Sequence, residues 1–288
     1  MKKAFEVLGW SATVLAHSPS SLIVFAAFLG LWALAAYEWL WIPESSVLVL
    51  LLSLVWAIAQ VLVAAAAVTG TAASAMQACD ANAQRLSLLS FFRFSRKRFG
   101  ASLLLLIPAL AIGWALAETF AWVNKHSVEV ASLLTFHSEK PVSYLIIDKC
   151  LMVVECLLWI AVAGSLLSFV MGLFSSGWQH TREQFGKVLM SSCSKGRLFA
   201  GLLSVIVFGG SAYVLANWRP KVSVGFWDYS QLAVRVGFVL ILLAAGWLFW
   251  LLSLARLNSP TGTDQFHVPP LDGASFPGMP ESTSPPQG

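Results

Sequence analysis

A chain of 288 residues with 58% hydrophobic and only 11% charged side chains lies far below the roughly 25% charge of soluble domains. That excludes an ordinary water-soluble globule, and also disorder over most of the length, since disorder needs low hydrophobicity. The net charge of +4 resides in basic residues beside apolar runs, where it suits anionic headgroups rather than nucleic acid.

Residues 1–20 begin with Lys2 and Lys3 and read as a mildly amphipathic interfacial segment. Glu6, His17, Ser18 and Pro19 interrupt it, unlike the unbroken apolar core of a cleavable signal peptide. Six apolar runs follow, at about 21–42, 46–70, 101–123, 144–174, 198–217 and 230–255. Each reaches or approaches the roughly 20 helical residues that cross about 30 Å of hydrocarbon. They are rich in Leu and Ala and lack a two-residue alternation, which argues against a β-barrel. Backbone groups facing lipid must bond within their own helix. The expected fold class is therefore all-α: a polytopic membrane bundle of six transmembrane helices.

The loops carry charge unequally. Lys2, Lys3, Arg85, Arg93, Arg96, Lys97, Arg98, Arg182, Lys187, Lys195, Arg197 and Arg256 fall on one side, twelve in all, against Lys125, Lys140, Arg219 and Lys221 on the other. Positive charge stays inside, so both termini are expected in the cytoplasm, in a membrane of the bacterial inner type. Aromatic residues agree with this assignment. Tyr37, Trp39, Trp41, Trp122, Tyr144, Trp218, Trp227 and Tyr229 fall at the outer interface, and Trp10, Trp178, Trp247 and Trp250 toward the inner one.

At an offset of 99 residues, 95–104 aligns with 194–203, each leading from a basic stretch into an outward helix. Three repeated hairpins would give this match; so would any two basic-to-apolar junctions. The basic stretches 85–99 and 180–193 have short apolar stripes suited to the headgroup boundary. Arg85, Arg93, Arg96, Lys97, Arg98, Arg182, Lys187, Lys195 and Arg197 are candidates for binding anionic lipid or a partner. They equally serve as topology determinants.

Charges inside the runs are informative because each costs about 2.5–3.5 kcal/mol at mid-bilayer. Glu118 in the third run and Arg235 in the sixth both lie roughly 8 Å from the outer end, a depth at which opposite charges can pair. Glu155 lies roughly 16 Å into the fourth run, with no basic residue expected at its depth. It reads either as a proton-coupling group or as a buried neutral acid. Pro108 should kink the third run. Ala66, Gly70 and Ser74, four apart, present a face on which another helix can pack closely.

Cys79, Cys150, Cys156 and Cys193 form no CxxC pair, and the five histidines have no ligand spacing. Neither a metal nor a cofactor is expected. No phosphate loop, HExxH, GxSxG or GxGxxG is present, and no residue stands out as catalytic. Residues 258–288 hold seven prolines and read as a disordered cytoplasmic tail. The leading expectation is a non-enzymatic structural or accessory subunit of a membrane assembly, in contact with lipids and with other subunits or itself. A small permease, proton-linked through Glu155, is the alternative. A lipid-modifying enzyme is weaker still.

Overall fold

A computed structural model describes residues 2–42, 46–81, 83–86, 100, 111–138, 143–183, 194–218 and 226–258. These residues are 93% helical and contain no strand, which is how a backbone satisfies its own hydrogen bonds in lipid. Among the described residues, five helices are long and apolar enough to cross a membrane, as an integral membrane protein requires.

Helix α1 (Lys2–Ala16) ends at a corner where Ser18 precedes Pro19, the first residue of α2 (Pro19–Leu40). Proline fits this place because the first helical turn needs no N–H donor. Helix α3 (Val47–Asp80) follows, capped at its start by the Ser46 hydroxyl, which accepts from the Val49 N–H. Helix α4 occupies 111–125 and α5 is Ser127–Ser138. The 40-residue α6 is Tyr144–Glu183. Helix α7 spans Lys195–Asn217, and α8 is Phe226–Asn258.

Two helices overrun the expected loops. The one expected from residue 71 begins only after Asp80, and α6 continues through Glu183. Hydropathy falls after Gly70 because Thr71, Ser74 and Cys79 are less apolar than leucine. Yet Thr71, Ser74 and Cys79 are buried against protein, so the helix persists without needing lipid. Likewise, the interfacial segment expected over 1–20 is a helix whose Ser11 and Val14 are fully covered. The first ten residues of the third expected span, with Pro108, lie outside the described residues. So do all but residue 100 of one arm of the 99-residue alignment, most of the two basic stretches and the tail after Asn258.

Helix α8 is the hub: it packs against α1, α2, α3, α6 and α7. Its C-terminal half runs Leu251, Leu252, Ser253, Leu254 and Ala255 with every side chain buried. Five consecutive positions cover all sides of a helix, so this segment is surrounded by protein. Val14 of α1, Phe25 of α2, Ala72 and Ala75 of α3, Met171 of α6 and Leu86, on the chain beyond α3, belong to the same cluster. The other halves of the spans differ. Leu51, Leu52, Val55 and Ile58 on α3 are all more than half exposed, as are Leu145, Ile146, Met152 and Val153 on α6. The bundle is thus tightly built at the end where α1 lies and open at the far end.

Candidate functional site

The polar groups of the closed end join one helix to the next. Ser11 and Ser253 are both wholly buried, and Ser253 Oγ lies 3.1 Å from Ser11 Oγ and 2.8 Å from the Phe249 carbonyl. Ser11 in turn donates to the Val7 carbonyl at 3.0 Å. Because each hydroxyl has one proton, the Ser253 proton serves either Ser11 or its own helix. Trp247 Nε1 donates to Thr71 Oγ1 at 3.3 Å, tying α8 to α3. Ser204 Oγ donates to the Gly246 carbonyl at 2.7 Å, tying α7 to α8.

That last contact adjoins a π turn over Val205–Gly209, where the Gly210 N–H bonds the Val205 carbonyl. The wide turn sets Phe208 against α8, where a Cβ on Gly246 would meet the Phe208 Cβ at 2.9 Å. Only glycine allows this approach. One helical register away, Trp250 Nε1 is buried without a hydrogen-bond partner, over Gly201.

The α1–α2 corner grips the chain beyond α3. The buried Leu86 N–H donates to Ser18 Oγ at 2.7 Å, and the Leu86 carbonyl accepts from Ser21 Oγ at 2.7 Å. Both backbone groups of one residue are thereby satisfied away from water. Near the same end, the Arg256 guanidinium lies 5.2 Å from the Trp10 ring centroid, and its Nη1 lies 3.9 Å from Cys79 Sγ.

The open end is joined by tryptophans. Trp39 Nε1 donates to Ser53 Oγ at 2.8 Å, Trp32 Nε1 to the Gln60 carbonyl at 3.2 Å, and Trp56 Nε1 to the Ala35 carbonyl at 3.2 Å. These three bonds fix the antiparallel register of α2 and α3. Between the helices is an apolar groove of about 260 Å³ bordered by Phe28, Trp32, Trp56 and Gln60. The Gln60 side-chain Oε1 is buried there and has no donor.

The residues expected to act together stay separate. Glu118 is exposed on α4, Arg235 is half-buried on α8, and the two form no ion pair. Glu155 is half-buried on α6, in the midst of exposed apolar side chains. Gly70 and Ser74 are buried and Ala66 half-buried on α3. Arg85 and Lys195 are exposed and Arg197 is half-buried. Arg93, Arg96, Lys97, Arg98, Lys187 and the Arg182 side chain lie outside the described residues. Among the described residues no cluster of His, Cys, Asp and Glu is placed to hold a metal.

Tyr37, Trp41, Trp122, Tyr144, Trp218 and Tyr229 are exposed near helix ends, as a headgroup belt would require. Trp10, Trp247 and Trp250 instead pack on the core, so their aromatic surface is directed to protein. The sequence pointed to Trp39 only as an interface aromatic and to Ser18 only as a break in an apolar run, and it did not mark Gln60, Trp32, Trp56 or the other joining hydroxyls. The available signal was a polar residue within an apolar run, which a search for charges passes over.

No protein family matches the chain, no curated protein matches it, and no solved structure matches it.

Proposed function

We propose that this chain is a non-enzymatic structural or accessory subunit of a membrane assembly, set in a membrane of the bacterial inner type. In this reading it crosses the bilayer six times, the run 101–123 supplying the span beyond the five. The uneven loop charge then sets both termini in the cytoplasm. Three repeated hairpins are the organisation that the alignment of 95–104 with 194–203 favours. Anionic headgroups meet its basic stretches, and other subunits, or further copies of itself, meet its open end.

The observation that carries the proposal is the use made of polar groups at the closed end. Ser11, Thr71, Ser204 and Ser253 are buried and bond helix to helix or back to their own helix. Such joints hold one arrangement in place, as a scaffold needs. A transport path would instead keep polar groups turned toward a cavity that solute enters. Extraction in mild detergent followed by native mass analysis tests this reading. Stoichiometric partner chains are expected; a monodisperse, partner-free protein that moves a solute across vesicles would refute it.

The half-buried Glu155 favours one second reading, a proton-linked permease. For that reading, Glu155→Gln abolishes proton-linked uptake in vesicles. Unchanged uptake removes it.

A further inference from the structure

We infer that Arg256 at the closed end holds the phosphate of an anionic lipid headgroup, with Trp10 as the platform beneath its guanidinium. The inference rests on the chain crossing a bilayer but does not need a protein partner, so it stands or falls apart from the subunit reading.

Depth comes first. The apolar span Tyr229–Asn258 has 30 residues, about 45 Å of helix, which matches a bilayer measured across its headgroups. Arg256, in the last turn, therefore falls at headgroup level. A lone cation there favours the helix C-terminus, where the last carbonyls carry partial negative charge. That effect accounts for a positive charge but not for the pose. An arginine answering only to the helix end or to water would extend outward. Here the guanidinium turns back against the Trp10 ring at 5.2 Å, with Nη1 at 3.9 Å from Cys79 Sγ.

The pose leaves the cation half-buried, with no carboxylate beside it among the described residues. A guanidinium offers five N–H donors. The indole face takes none of them in its plane, and a thiol sulfur is a weak acceptor. A partly desolvated charge with unused donors calls for an anion. The planar fork of arginine matches phosphate oxygens two at a time, which a lysine cannot do.

The surroundings favour a phosphate attached to lipid over one free in water. Leu257 abuts Gly196 at the start of α7, so Lys195, exposed, stands beside the same final turn of α8. Asn258 Nδ2 reaches Ser168 Oγ at 3.4 Å on its other side. The same amide also reaches Met171 Sδ at 3.7 Å, so the charge available at this end comes from Arg256 and Lys195, at the depth where an anionic surface attracts basic residues.

The test uses the full chain in detergent, loaded with phosphatidylglycerol or phosphatidylcholine and analysed by native mass spectrometry. Wild type is expected to retain phosphatidylglycerol under activation that strips phosphatidylcholine. Arg256→Gln should lower that preference about fivefold, the worth of one basic residue at an anionic surface. Arg256→Lys keeps the charge and guards against a folding defect; its retention should fall between the other two. The proposal is overturned if Arg256→Gln or Arg256→Lys retains phosphatidylglycerol as wild type does. Displacement of the lipid by inorganic phosphate would overturn it too, by assigning the site to a soluble anion.

Discussion

Leu52 and Leu252 are the same side chain in two kinds of surroundings. Leu52, near the start of α3, is 59% exposed, whereas Leu252, near the end of α8, is 0% exposed. Both belong to helices apolar enough to span a bilayer, so hydropathy treats them alike. The structure does not. Leu252 belongs to a buried cluster with Val14, Phe25, Ala72 and Met171 from four other helices, whereas most of the Leu52 side chain faces away from protein. In lipid the exposed surface meets hydrocarbon as apolar as itself, so its burial drives no association between helices. Order at the closed end comes instead from close packing and from hydroxyl joints.

The comparison can be broken most forcefully with one substitution made twice. Leu252→Ala should lower stability by about 2–5 kcal/mol, the range for emptying a packed site. Leu52→Ala should stay within about 0.5 kcal/mol. Reversible unfolding in mixed micelles reads both, and equal losses would erase the distinction between the ends.

Glycines give the next contrast. A Cβ on Gly201 would run into the Ile160 side chain and press on Trp250, whereas one on Gly237 would meet nothing within 4 Å. Gly201→Ala should cost about 1–3 kcal/mol through overpacking. Gly237→Ala should cost nothing measurable, and the same unfolding experiment checks the pair.

Single joints sharpen the comparison further. Ser18→Ala leaves the buried Leu86 N–H without its acceptor, a loss of about 1–3 kcal/mol. Faster amide hydrogen exchange at Leu86 would report it directly, and unchanged exchange would count against the corner. At the open end, Trp39→Phe removes the bond to Ser53 but keeps most of the ring. Its expected cost is about 0.6 kcal/mol, the average for a hydrogen bond between membrane helices. Near-ultraviolet circular dichroism should still show the α2–α3 hairpin intact.

The class of fold was legible because hydropathy responds to length: starts near residues 21, 46, 144 and 230 lie within four residues of helix starts at Pro19, Val47, Tyr144 and Phe226. The continuation of α3 past Gly70 was not legible. Its Thr, Ser and Ala residues look like a loop to hydropathy, and only the arrival of α8 makes them interior. Arg256 is the same kind of case. It counted as one more inside charge, and nothing local to 256 indicates that Trp10, far away in sequence, lies beneath it. Glu118 and Arg235 were matched in depth from the sequence alone, and the structure records no ion pair between them.

The central claim is that one end is closed by protein and the other lies open to lipid. A diazirine dissolved in the bilayer, photolysed with the unmodified protein and mapped by peptide mass spectrometry, tests it without a mutation. The account predicts heavy labelling across 48–58 and background labelling across 248–255. Equal labelling of the two segments, or heavier labelling of the second, would contradict it.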